Sequence, residues 1–360
     1  MNLQVARSVI RDALGWALFS SGATRPNAKT VDQLTIVTFH RVLAVEELVE
    51  YPLPGLAVTP DQLRWLLQFF RRYYDVVPLS KAIELWRGSV SNEKSTTIRP
   101  LKKPLLVVTF DDALRDNFRH ARPILDQEGV KATFFVPVEA VEEQTLLWHD
   151  RMAYLVAAAT RQSSDHVQDI IQDFLRENDS VGDSSRLDVE LAIAIAKKWS
   201  AEQRLEWLQR AQRKLGGTCV PKWDAMMSWD QLQVLAKSGH EIGSHSWTHP
   251  ILPRCNDGQL QKEIVATRGM LEKRIETEVR TFCYPNGDWD QRCVDAVRSA
   301  GFHAAVTTTF GVNCDPMPLH LLRRCDMQSS TSQNHRGKMS EARIAWRLSR
   351  WFPGIDSGRP

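Results

Sequence analysis

The chain has 360 residues, 43% hydrophobic and 25% charged, the balance of a globular protein that can bury a core without disulfides or a structural metal. Its net charge of +3 is too small to imply a nucleic-acid partner. No run of about 18 apolar residues occurs, which argues against a membrane-spanning helix.

Arg7, Arg11 and Asp12 interrupt the apolar residues of the N-terminus, against a secretory signal. The chain is therefore expected in the cytoplasm or at its membrane face. The spacing of Val5, Val9, Ala13 and Trp16, with Leu14 and Leu18, predicts an amphipathic helix within residues 1–30. Two readings stand, a helix packed on the domain and a membrane-surface anchor, and the first is favoured. Leu34 to Phe39 reads as a short buried strand ending at His40. Thr59-Pro60-Asp61 opens a helix with an apolar stripe through Leu63, Leu66, Leu67 and Phe70. Asp75 to Leu79 is a second strand-like step, followed by a helix around Ala82 to Trp86 and a polar loop over 89–103.

Pro104 to Phe110 is the strongest buried strand and ends in Asp111-Asp112. A helix over 116–127, closed by Gly129, and a strand over 132–136 complete a βαβ unit and imply a parallel sheet. Residues 148–223 have a helical pattern with little strand signal and read as an insertion. Beyond it, Ser228 and Gln231 make a capping box, and strand-like stretches at 240–244, 280–284 and 304–308 alternate with helices. The basic, aromatic tail from 327 to 360 reads as solvent-exposed by default, or as a second membrane contact. The main unit therefore spans 31–147 and 224–326.

Three segments carry chemistry. Asp111 and Asp112 follow a buried parallel strand, where α/β proteins place ligands. Neighbouring carboxylates on extended chain point different ways, so one can bind a metal while the other faces a reacting water. His245 and His249 are spaced to converge on one metal, although the Glu of the zinc-protease motif is replaced by Ser246. Tyr284-Pro285-Asn286-Gly287 is a turn able to present a backbone N–H. Each alone has a bland reading: a helix cap, an incidental His pair, a turn. Together they supply two His and one Asp as metal ligands, a second Asp as base and an oxyanion donor. The six cysteines form no C-x-x-C pair and read as buried thiols.

The stretches VVTFDDALRDN (107–117), ILDQEGVKATFFV (124–136), SWDQLQVLAKSGHEIGSHSWTHP (228–250) and TFCYPNGDWD (281–290) resemble, in order, the polysaccharide deacetylases of the NodB-homology type, carbohydrate esterase family four. IVTFHRV (36–42) and VTPDQLRWLLQFF (58–70) are similar to an extension found in members from exopolysaccharide gene clusters. The resemblance implies an α/β fold, a deformed (β/α) barrel with fewer than eight strands, here with a helical insertion. It implies Asp111 as base, Asp112, His245 and His249 as ligands of a divalent metal (Zn2+ by default, Co2+ or Ni2+ also fitting), and the Asn286 backbone at the oxyanion. The implied reaction is removal of an N-acetyl group from an amino sugar of an N-acetylated carbohydrate substrate. Two alternatives remain: deformylation or deacetylation of a lipid-linked sugar, and a non-catalytic sugar-binding relative.

The sequence departs from the family pattern at Ala113, where Gly is usual, and at Cys283, where many members carry Arg. Arg323 is a candidate substitute for orienting Asp111, set against a surface or structural arginine; the family's late Leu-x-His has no clear match, His320 lies in its region but fits the pattern poorly, and His40 is the alternative candidate for the acid.

Overall fold

The computed structural model describes residues 3–27, 30, 32–90, 101–161, 174 and 188–352. Ten strands occur among them: β1 Leu34–Phe39, β2 Arg41–Val42, β3 Ala57–Val58, β4 Asp75–Val76, β5 Leu105–Phe110, β6 Thr133–Val136, β7 Glu241–Ser244, β8 Thr281–Cys283, β9 Ala304–Phe310 and β10 Leu322–Asp326. Seven of them, β1 and β5 to β10, are parallel and close on themselves, with β1 paired to both β10 and β5. Helices ring this barrel. β4 pairs with the first two residues of β5, while β6 takes the end of the same strand. β2 and β3 form a small separate pair.

The apolar runs explain the barrel. All six residues of β1 and of β5 are buried, as expected of strands covered on both faces. Alternation then divides them. Leu34, Ile36, Leu105 and Val107 join Phe135, Cys283, Val306 and Leu322 in an interior cluster, which the helix Leu79–Val90 shares through Ile83 and Trp86. Val37, Phe39, Val108 and Phe110 belong instead to the larger core beneath the surrounding helices. The interior is tight at Gly243, where an added Cβ would stand 2.5 Å from the Phe135 ring. Carried to the strand ends, the inward parity reaches His40, Asp111, His245 and Arg324. That set lies at the C-terminal mouth, where parallel barrels keep their sites.

The expected barrel is therefore present, with differences of detail. β10 was not anticipated from the sequence. The strand-like step at 75–79 shrinks to two residues because Leu79 already opens a helix. The helices expected over 116–127 and between the strands at 240–244 and 280–284 contain π-turns at Asn117–Ala121 and Gln261–Ala266. The tail corrects the expectation of an exposed terminus: Ile344, Ala345, Trp346 and Leu348 are buried, because the helix Glu341–Arg347 packs an apolar face on the domain. Residues 353–360 lie outside the described residues. All six cysteines are free, but only Cys283, Cys293 and Cys325 are buried.

The insertion is helical as expected, with helices Trp148–Arg161, Val189–Ala196 and Ala201–Lys214 around Met152, Leu155, Trp199 and Trp207. Residues 162–173 and 175–187 of it lie outside the described residues. A buried polar network ties it to the barrel. Arg41 lies 3.2 Å from Asp116 and 2.7 Å from Asp224. Tyr154 of the insertion donates to the other oxygen of Asp224, and Tyr51 donates to Asp150 of the insertion. Burial raises the Asp116 pKa to about 6 against the pull of Arg41. The Arg41→Met substitution should strand these carboxylates without their cation and cost about 3–5 kcal/mol, read as a lower urea midpoint.

Candidate active site

Asp111 and Asp112 follow β5 directly and then diverge. Asp111 keeps the inward direction, and Arg324 of β10 meets it with two parallel hydrogen bonds of 2.8 Å, Nη1 to Oδ1 and Nη2 to Oδ2. Arg324 also donates to the Thr307 carbonyl, to Thr38 Oγ1 and to Cys283 Sγ, so the fork is held on every side. Burial acts to raise the Asp111 pKa, and the guanidinium outweighs it, keeping the carboxylate below its ordinary value.

This corrects the assignment to Arg323. Side chains alternate along β10, and it is Arg324 that shares the inward face with Leu322. Arg323 points the other way and lines a separate cavity with Trp289 and Thr309. The same geometry accounts for Cys283. Its small side chain lies 3.3 Å from Arg324, leaving room for a guanidinium to enter the site from β10.

Asp112 turns aside because its backbone is left-handed, with φ 72°. Its Oδ1 lies 3.4 Å from His245 Nε2 and 3.6 Å from His249 Nε2, and it is buried without a hydrogen-bond partner. Three donor atoms thus converge at close to the ligand–ligand spacing, about 3.3–3.4 Å, of a tetrahedral site with bonds near 2.0–2.1 Å. His245 Nδ1 faces the Cys283 carbonyl at 2.8 Å, which fixes the ring and aims Nε2 inward. Burial and the nearby His245 hold the His249 pKa well below the usual imidazole value, so that ring is neutral, the form that ligates metals. For His245, burial is outweighed by the Cys283 sulfur and by the Asp112 and Asp111 carboxylates, which push it well above its ordinary value. An alternative cluster of Asp111, His245 and Cys283 fits a cation less well, since Asp111 is already committed to Arg324.

The His turn is itself pinned. Glu263 accepts from the backbone N–H of Trp247 and Thr248 and from the Thr248 hydroxyl, and Ser246 Oγ accepts from the His249 N–H. Among the described residues, eight non-glycine residues have left-handed φ, and five of them are Asp112, Ala113, Ser246, His249 and Asn286. Backbone strain is concentrated where the side chains must converge. It also explains why Gly suits the Ala113 position: this chain accepts a Cβ at φ 53°.

A cavity of about 520 Å3 opens over these groups, lined by His40, Asp111, Asp112, His245, His249 and Asn286 among others. His40 Nε2 stands 3.8 Å from Asp111 Oδ2. Asn286 sits in the turn after β8 with its Nδ2 buried and unpartnered. The insertion contributes His149, Glu190, Ile193 and Lys197 to the cavity wall. His149 Nε2 lies 4.0 Å from Asp112 Oδ2 and 3.5 Å from Asp150. Neither His149 nor Glu263 was singled out from the sequence. The His-Asp pair at 149–150 beginning an Ala-rich helix is the one signal for the former.

A family model described as polysaccharide deacetylase matches residues 98–305. The uncharacterized protein YlxY of Bacillus subtilis is 31% identical over 61 residues, 17% of this chain and only 19% of that protein. The Streptococcus pyogenes deacetylase PplD, solved in complex with acetate, superposes with a TM-score of 0.54 at 16% identity, over 88% of this chain and 98% of that one. IcaB from Ammonifex degensii gives a TM-score of 0.52 at 17% identity, again over 88% and 98%. At these identities the superpositions establish the fold.

Arg324→Gln should raise the Asp111 pKa, move the acid limb of a pH–rate profile upward and lower kcat/KM by about 10²-fold or more. Arg323→Gln should leave both within about twofold, and the reverse result would restore the original assignment. Because Cys283 and the Asp112 and Asp111 carboxylates favour the protonated form of His245, a bound cation competes with that proton, and apparent Zn2+ affinity should weaken as the pH is lowered from neutrality. A chelator-competition titration measures this, and a pH-independent affinity would contradict the ligand set.

Proposed function

We propose that this chain, which belongs to the polysaccharide deacetylase family, is a hydrolase that removes N-acetyl groups from amino sugars of an oligo- or polysaccharide with the help of one divalent cation. The observation that carries the reading is the separation of roles at two adjacent carboxylates. Asp112 turns an unpartnered oxygen toward two imidazoles, while Asp111 is held by an arginine and left out of that cluster.

A divalent cation at Asp112, His245 and His249 would supply Lewis-acid polarisation of the acetyl carbonyl and acidify water beside it; Zn2+ suits the His2Asp donor set, and Co2+ or Ni2+ also fit. Asp111, kept ionised by Arg324, takes the proton from the attacking water. Arg324 prevents the base from swinging into the metal cluster. The left-handed turn at Asn286 offers a backbone N–H to the developing oxyanion. His40, partly exposed in the cavity, gives a proton to the leaving amine. Acetate and a free amino sugar result. The cavity floor is polar and its walls include Leu53, Leu56 and Ile193, a mix that suits a sugar with an acetyl methyl. The acetate-bound PplD and the superposing polysaccharide deacetylase of Bacillus cereus support the acetyl group as the one removed.

The direct test is acetate release from N-acetylglucosamine oligomers by metal-stripped protein, with and without Zn2+. Release should require the metal. Asp112→Ala should abolish metal binding and release together. Asp111→Asn should keep the metal and lose about 10²–10⁴ in kcat. Full turnover by Asp111→Asn would refute the base assignment.

A further inference from the structure

The helix Leu3–Ser20 is amphipathic in the inverse sense. Taken at about 100° per residue, Ser8, Asp12, Gly15 and Phe19 share one face. That face is docked. An added Cβ at Gly15 would stand 3.4 Å from the Trp346 ring, Asp12 accepts from Arg343 and faces His335, and Phe19 meets Tyr73 edge-on at 6.1 Å. The remaining surface, from the flank to the far side, carries Val9, Ile10, Ala13, Leu14, Trp16 and Ala17, and every one of them is exposed. Ile10 and Trp16 are each 67% exposed and Leu14 47%. A helix on a folded domain ordinarily turns its apolar stripe inward and its charges to water. Here Asp12 faces the tail helix, paired with Arg343 and His335, while Arg11 stands exposed at the flank of the docked face, beside a cavity that Arg343 also lines.

The apolar face has a basic border. Just past the helix, Ser21 and Gly22 share a cavity with Arg25, Arg350 and Trp351, and Trp351 is 60% exposed. Arg11, Arg25 and Arg350 are all exposed, while the helix's acidic group, Asp12, is tied to Arg343 and His335. We propose that this face, Val9 to Ala17 with Trp351, docks on an anionic lipid bilayer. The charges select that occupant. Arginines around an apolar strip with two tryptophans complement acidic headgroups over acyl chains. A second copy of the chain would bring the same arginines against each other. No helix among the described residues is long and apolar enough to cross a membrane, so the helix lies in the surface plane.

The test uses the full chain and no enzymatic readout, so it stands or falls independently of the deacetylase reading. The protein is sedimented with vesicles of phosphatidylcholine alone and of phosphatidylcholine mixed with phosphatidylglycerol. Partition onto the mixed vesicles should be stronger and should fall with salt. Ile10→Ser combined with Trp16→Ser should reduce it about tenfold or more with an unchanged melting temperature, since both side chains face solvent. Arg11→Gln with Arg25→Gln and Arg350→Gln should remove the preference for the acidic lipid. Absence of binding to mixed vesicles, or binding indifferent to the Ile10 and Trp16 changes, would overturn the proposal. So would a concentration-dependent dimer that those same changes dissolve, which would make the face a contact between copies.

Discussion

The paired hydrogen bonds between Asp111 and Arg324 are the contact on which the rest of the site depends. A carboxylate buried at the mouth of a barrel is unfavourable without a cation, and an arginine buried there is equally so. Each makes the other tenable, and both sit where strand alternation delivers inward-facing side chains. Because the guanidinium occupies both oxygens of Asp111, that carboxylate stays out of the neighbouring cluster of Asp112, His245 and His249. Two acids adjacent in sequence thereby acquire opposite environments: one neutralised by a fixed cation, the other left with an oxygen that no protein group satisfies.

Holding them apart has a structural cost. Asp112 and Ala113 both adopt left-handed backbone, as do Ser246 and His249 on the facing turn. Such conformations persist only where the surroundings over-determine them. On the His turn they are held by Glu263, which takes two backbone N–H groups and a hydroxyl, and by the Cys283 carbonyl behind His245. Cys283 thus serves the site twice, through its carbonyl and through the small side chain that lets Arg324 reach in from β10.

The parts of this arrangement legible in the sequence were those encoded locally. The apolar runs at 34–39 and 105–110 announce buried parallel strands, and the acidic pair, the His pair and the Pro-Asn-Gly turn lie where those strands end. Arg324 was not legible. Choosing between adjacent arginines requires knowing that 322–326 is a strand and which of its residues faces inward, and LLRRCD has no clean alternation to show it. Glu263 and His149 act across the fold, from a helix and an insertion whose sequences read as ordinary solvent-facing helix. The tail was misread for a related reason. Its arginines and aromatics suggest an exposed segment, but Trp346 and Ile344 find a partner surface that exists only after folding.

The insertion is more than an elaboration of the barrel's edge. Its first helix places His149 beside Asp112, and the next residue, Asp150, joins Tyr51 from the segment before β3. One turn further on, Tyr154 reaches Asp224, which in turn holds Arg41 just beyond β1. A buried chain of polar contacts therefore runs from the cavity wall to the segment bearing His40, at whose carbonyl Asn117 also donates. Helix Val189–Ala196 of the same insertion, with Lys197 just past its end, adds Glu190, Ile193 and Lys197 to the cavity wall. The barrel contributes His40, Asp111, Asp112, His245, His249 and Asn286 to the cavity, and the insertion, anchored by buried polar contacts, contributes part of its wall. Differences in substrate between chains with this barrel are then expected to reside in the insertion, where sequence can vary without disturbing the carboxylate–arginine pair beneath it.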